Sequence, residues 1–238
     1  MVSPVRINKY LSEAGICSRR EADRRIAEGF VTINGKKAEM GERVFPGDKV
    51  MYGRTEVSKE ESVILLAVNK PAGIVCTAEK RERDNIVDFV QYPKRIYPIG
   101  RLDKDSHGLI LMTNQGDLVN KIMRGRNFHE KEYLVRVNRE VNKEFLQKIS
   151  QGVYLKELDT VTRPCQVEKV GRYTFRMVLT QGLNRQIRRM CEAFQYRVVD
   201  LKRVRIMNIK LGSLREGAYR EVTKEEWETL QEMLQERG

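Results

Sequence analysis

Histidine is nearly absent from this chain of 238 residues: it has two, alongside four cysteines and one tryptophan. Two histidines are too few for most metal sites. His129-Glu130 is not followed by a second histidine at the spacing of a helical zinc protease. Cys17, Cys76, Cys165 and Cys191 stand far apart with no Cys-x-x-Cys pair, so neither a zinc site nor a dithiol motif is signalled. Such spacing suits a reducing compartment in which each thiol is a small core residue. No apolar run approaches the roughly 18–20 residues that span a bilayer. The start, Met1-Val2-Ser3-Pro4-Val5-Arg6, lacks a signal-peptide core. The expectation is a cytoplasmic protein with no membrane partner. Gly29 to Gly35-Lys36 imitates a phosphate loop with one residue too many between the glycines.

Positive charge is what the chain has in excess. Lys and Arg number 45 against 33 Asp and Glu, a formal net charge of +12. With 40% hydrophobic residues the chain can bury a core, and its partner is expected to be a polyanion, nucleic acid first. A membrane surface is the rival, but no basic amphipathic helix with bulky aromatics opposite is evident. The excess is uneven. Residues 181–220 hold ten Lys/Arg against three Asp/Glu, as a phosphate-binding surface would require.

Residues 6–50 read as a small module. Ile7, Tyr10, Leu11 and Ala14 mark one face of a helix that Gly15 ends. Ser18-Arg19-Arg20-Glu21 is a capping box, opening a second helix with Arg19, Arg20, Arg24 and Arg25 on its polar side. β-prone residues 30–33 precede the hairpin signal Asn34-Gly35. Two more short β-prone pieces lie near 42–45 and 49–52. In this order, Arg6-Ile7-Asn8-Lys9-Tyr10-Leu11, Ser18-Arg19-Arg20-Glu21-Ala22 and Val31-Thr32-Ile33-Asn34-Gly35 resemble the S4 RNA-binding domain. That resemblance makes Arg19, Arg20 and Arg24 RNA-backbone contacts rather than a merely solvated face.

Residues 53–62 are polar and aperiodic and read as a linker. Beyond them a larger α+β domain is expected. Its strands should fall at 63–69, 109–113, 131–137, 174–180 and 204–211. Helices should open at Asn142, run over 184–194, and start again at the capping box of Thr223-Lys224-Glu225-Glu226.

Two segments could carry chemistry. Gly100-Arg101-Leu102-Asp103-Lys104-Asp105-Ser106-His107-Gly108 imitates the start of a calcium loop, but the twelfth position, which needs a bidentate carboxylate, is Asn114. What remains is Asp103 between Arg101 and Lys104. Flanking cations favour a carboxylate, the form that serves as nucleophile or base, although salt-bridged loop aspartates are common. In the second segment, residues 181–192, Ile187, Met190, Cys191 and Phe194 form an apolar helix face. Arg185, Arg188, Arg189 and Glu192 form a basic stripe on the exposed or cleft side.

These segments, with Asn69-Lys70-Pro71-Ala72-Gly73 and Lys131-Glu132-Tyr133, resemble the bacterial RNA pseudouridine synthases of the RsuA/RluB/RluE/RluF group. Four motifs follow in the family's order between residues 69 and 190, after an S4 domain. Residues 100–106 and 204–209 are most like the RluF branch, which acts on large-subunit rRNA. The resemblance implies an S4 domain (1–52), a linker (53–62) and a pseudouridine synthase domain (63–238) with a mixed, mainly antiparallel sheet flanked by helices. It implies no cofactor and no metal, since uracil is detached, turned and rejoined through C5 without transfer of an electron or group. Asp103 matches the catalytic aspartate. Arg101 matches the arginine that fills the space of the flipped base. Tyr133 matches the tyrosine that packs on the uracil, although its alternation with Val135 and Val137 also suits plain strand core. Arg188 matches the basic partner of the aspartate, with Arg189 and Arg185 beside it as RNA contacts. Lys70 could be an RNA contact or a structural residue. Asp105 reads as a turn residue and His107 as loop structure. The implied partner is structured RNA, 23S rRNA before tRNA, bound by a monomer. A non-catalytic RNA-binding assembly factor would explain the charge equally well, but not Asp103, Tyr133 and Arg188 together.

Overall fold

The structure, a computed structural model, describes residues 3–58, 62–79, 81–123 and 128–235. The chain divides into two units. The first is Met1–Ile64 with Tyr92–Ile96 and Asn114–Gly116, and the second is Leu65–Gln91 with Tyr97–Thr113 and Asp117–Gly238.

In the first unit, β1 (Val5–Arg6) leads into α1 (Ile7–Glu13), and Gly15 closes that helix at φ +79°. α2 (Arg19–Ala27) starts where Ser18 Oγ accepts the Glu21 N–H at 3.1 Å, a cap worth about 1 kcal/mol. Only half of the capping box forms. Glu21 turns away from Ser18 to Arg24 and Arg25 at 2.6 and 3.0 Å. β2 (Val31–Ile33) and β3 (Lys36–Lys37) meet over Asn34 and Gly35, both at positive φ as a type I′ turn requires. β4 (Arg43–Val44) pairs with β1, and β5 (Val50–Tyr52) pairs with β2 and with β6 (Thr55–Glu56). Residues 53–57 therefore belong to this sheet rather than to a linker. Val57 is buried and its N–H reaches the Val50 carbonyl at 2.9 Å. The rest of the expected linker includes 59–61, outside the described residues. Ile7, Leu11, Ala22, Ile26, Val31 and Val50 form the core.

The second unit is built on a mixed sheet. Its strands are β7 (Leu65–Lys70), β8 (Tyr97–Pro98), β9 (His107–Thr113), β10 (Lys131–Val137), β13 (Gln166–Gly171), β14 (Thr174–Leu179), β15 (Val198–Ile206), β16 (Ile209–Lys210) and β17 (Tyr219–Glu221). The short hairpin of β11 (Tyr154–Leu155) and β12 (Thr160–Val161) stands apart from it. The order is β13-β14-β10-β15-β9-β7-β17, with β8 on β9 and β16 on β15. Only β15 and β9 pair in parallel among the described strands. The helices are α3 (Ile86–Val90), α4 (Gly116–Met123), α5 (Lys143–Ser150), α6 (Gln186–Glu192) and α7 (Lys224–Gln235). Leu230 and Leu234 of α7 and Leu118 and Ile122 of α4 pack on Leu65, Ala67, Leu109 and Leu111. Phe145 of α5 stacks on Tyr196 at 3.9 Å and meets Phe175 edge-on.

The strand expected at 204–211 is corrected. β15 begins at Val198, and the chain turns at Met207 (φ 52°) into β16. Opposite Glu132/Tyr133 and Arg136/Val137 of β10 the register shifts by one extra residue on β15, Val204 and Val199, and this breaks the alternation that periodicity needs. The helix expected over 184–194 is the shorter α6, which starts after Arg185 at φ 48°. Among the described residues no helix is long and apolar enough to cross a membrane. No group of three or more His, Cys, Asp or Glu among them could hold a metal ion.

Candidate active site

Asp103 sits at the first corner of a turn between β8 and β9. The Ser106 N–H donates to its carbonyl at 3.1 Å. Its neighbours anchor the turn: Leu102 is 7% exposed and Ser106 fully buried. The Leu102 N–H reaches Cys76 Sγ at 3.3 Å, and the Gly73 N–H reaches the Lys104 carbonyl at 2.7 Å. Backbone and side chain thus fix the loop from below, leaving the Asp103 side chain one-third exposed. At the loop's end Gly108 has φ +100°. A Cβ there would lie 2.3 Å from the Arg203 carbonyl oxygen, so glycine is what lets β9 run against β15.

The arginines of residues 185–189 close the loop from the other side. Arg185 Nη1 lies 3.8 Å from Asp103 Oδ2. Its fork also spans both carboxylate oxygens of Asp105, at 3.3 and 3.2 Å. Arg188 is nearly buried. Its Nη2 lies 3.1 Å from Ser106 Oγ, 3.2 Å from Asp105 Oδ2 and 3.4 Å from the Asp105 carbonyl. The pair expected between Arg188 and Asp103 is therefore replaced. Arg188 holds Asp105 and Ser106, and Arg185 is the guanidinium beside Asp103. Burial pushes the Asp105 carboxyl up, but the Arg185 hydrogen bonds and the Arg188 charge outweigh it and leave its pKa below the ordinary range. Asp105, expected only to shape a turn, is the ion-pair centre of the loop.

Other expected residues are placed as follows. Tyr133 is 8% exposed on β10 and shares its buried face with Val135 and Val137. Arg101 is exposed at the start of the loop. Lys70 is corrected: it has no exposed surface, and its ammonium donates to the Pro71 and Ile74 carbonyls at 2.8 and 2.7 Å. Burial lowers its pKa, and an ammonium spent on two carbonyls is a strut of the 70–74 turn rather than an RNA contact. Arg189 bonds the Asn184 carbonyl and pairs with Glu157. Arg19 and Arg20 are exposed on α2, and Arg24 pairs with Glu21. His107 lies between Asp200 (2.9 Å) and Glu216 (3.6 Å).

The basic excess of 181–220 is also corrected. Arg205 is tied to Glu132 and Glu130, and Arg220 to Glu226, in addition to Arg185, Arg188 and Arg189. Half of the ten cations thus brace the domain instead of forming an open patch. Sequence reasoning missed Cys76, Gly73 and Arg203. Arg203 had one signal: with Leu201 it sits on the buried phase of a strand, where arginine is out of place.

Comparison with known proteins shows the family. The family model for RNA pseudouridylate synthase matches residues 64–193, and the S4 domain model matches residues 5–50. The dual-specificity RNA pseudouridine synthase RluF of Escherichia coli strain K12 is 56% identical over 94% of this chain and 77% of its own length. The ribosomal large subunit pseudouridine synthase B of Bacillus subtilis is 36% identical over 93% of each. A crystal structure of a pseudouridylate synthase superposes with a TM-score of 0.70 at 29% identity, over 95% of this chain and 99% of that one. This chain therefore belongs to the RNA pseudouridine synthase family and joins an N-terminal S4 domain to that family's fold.

Proposed function

We propose that this enzyme converts a uridine of 23S rRNA to pseudouridine, with Asp103 as the group acting at the sugar–base junction. The carrying observation is the loop itself: a partly exposed carboxylate on a turn whose flanks are buried, tied to Cys76, Gly73 and Arg188. A reacting group needs such fixation, because small misplacements are costly in rate. In the reaction the N1–C1′ bond breaks, uracil rotates, and a C5–C1′ bond forms while the C5 proton leaves and N1 gains one. A base within a stack must first be flipped, at a cost of a few kcal/mol. Arg101, exposed beside Asp103, would fill the vacated space, and Tyr133 would pack its ring on the uracil. Arg185 orients the carboxylate, and Arg188 acts through Asp105. Arg19, Arg20 and Arg24 contact the RNA backbone from the small domain, with Arg189 a further candidate. Residues 1–57 would serve binding and 63–238 catalysis, with 58–62 connecting them, in a cytoplasmic monomer.

The name of the Bacillus subtilis relative, a ribosomal large subunit enzyme, supports 23S rRNA, and the description of the Escherichia coli relative as dual-specificity supports a second RNA, for which tRNA is the alternative tested. Site-resolved pseudouridine mapping of 23S rRNA and tRNA, with and without the gene, separates the readings. A uridine that stays unmodified only in the deletion identifies the target. An unchanged map would exclude both.

A further inference from the structure

Arg203 lies on β15 beneath the Asp103 loop and is 3% exposed. Its Nε donates to the Leu109 carbonyl at 2.7 Å and its Nη1 to the Arg101 carbonyl at 3.3 Å. These carbonyls flank Asp103 on both sides, one before the turn and one after it. The third nitrogen, Nη2, is buried with no acceptor among the described residues. No carboxylate there pairs with the guanidinium either. Two more cations lie near it. Lys70 is fully buried, and burial together with the Arg203 charge brings the Lys131 ammonium down to about 8.

Keeping a guanidinium buried without a counter-ion costs several kcal/mol, and apolar residues of similar volume are often tolerated better at such places. A rigid planar fork does one thing they cannot: it holds two carbonyls at a set separation. We propose that Arg203 is a positioning residue for pseudouridine formation, bridging the two ends of the Asp103 loop and so setting where that carboxylate stands. This rests on Asp103 being the acting group.

The test uses the full chain, with transcribed 23S rRNA and tRNA together as substrate. Single-turnover rate at saturating enzyme, RNA affinity and folded fraction are measured for Arg203→Met, Arg203→Lys, Asp103→Asn and, as a destabilised control, Ile149→Ala, at a fully buried residue of α5. Arg203→Met is expected to lose about 100-fold in rate per folded molecule, with affinity within about threefold. Arg203→Lys, which keeps the charge but not the fork, should fall between it and the wild type. Ile149→Ala should turn over normally once corrected for folding. An Arg203→Met rate no lower than that of the control, per folded molecule, overturns the proposal. So does a loss that appears only in affinity. If Arg203→Met does not fold, a wild-type rate in Arg203→Lys overturns it and a loss of tenfold or more supports it. An active Asp103→Asn would instead bring down the reading of Asp103, and this proposal with it.

Discussion

Two arginine-rich helices lie in this chain, and their arginines do opposite things. On α2, Arg19 and Arg20 are exposed, and Arg24 and Arg25 pair with Glu21 on their own helix. At α6, Arg188 has a side chain 10% exposed, and it and Arg185 are fastened to the loop that carries Asp103. Arg19 and Arg20 stand open to solvent, and Arg185 and Arg188 spend their charge inside the protein. Counting charge along a sequence does not tell these apart. Burial and the position of acidic partners do, and both depend on residues far away in the chain.

The largest expected break in this contrast is Arg188→Ala. It leaves Asp105 to Arg185 alone and takes the donor from the buried Ser106 hydroxyl, so it should cost about 2 kcal/mol of stability and most of the activity. Chemical unfolding beside a turnover assay reads both. Stability and rate equal to the wild type would move Arg188 into the class of surface charges.

A smaller effect comes from Lys131. Burial and Arg203 lower its pKa from 10.5 to about 8, so in the folded state the charged form is disfavoured. The unfolded chain binds the proton more tightly, and this residue's contribution to stability therefore rises as pH climbs from about 8 to 10.5. Lys131→Met should be more stable than the wild type at pH 7, by on the order of 1 kcal/mol, and lose that advantage by pH 10. Parallel melting-temperature curves against pH for the two proteins would contradict the assignment.

The smallest structural effect is expected on α2. Arg20→Ala should leave the melting temperature unchanged, since exposed arginines contribute little to stability. It should weaken RNA binding and reduce the slope of log affinity against log salt by about one. An unchanged slope would remove Arg20 from the RNA contacts.

Features held by local chemistry were legible in the sequence. Ser18 and Asn142 cap their helices, Thr223 and Glu226 form a complete capping box, and Asn34-Gly35 turns a hairpin. Each depends on residues within three or four positions. The motif around Asp103 was also legible, with Tyr133 on its strand. What escaped depends on distant partners. Bulges opposite β10 concealed the start of β15 and with it the buried phase of Arg203. The exchange of Arg188 from Asp103 to Asp105 turns on loop geometry across 83 positions of sequence. The polar run after Gly53 concealed β6, whose hairpin leads Val57 into the small domain's core.

The most direct measurement is single-turnover pseudouridine formation by Asp103→Asn, with RNA affinity measured on the same protein. The account predicts no detectable product and affinity within about threefold of the wild type, since the exchange removes charge from one partly exposed side chain and no phosphate-binding cation. Pseudouridine formed at the wild-type rate would contradict it.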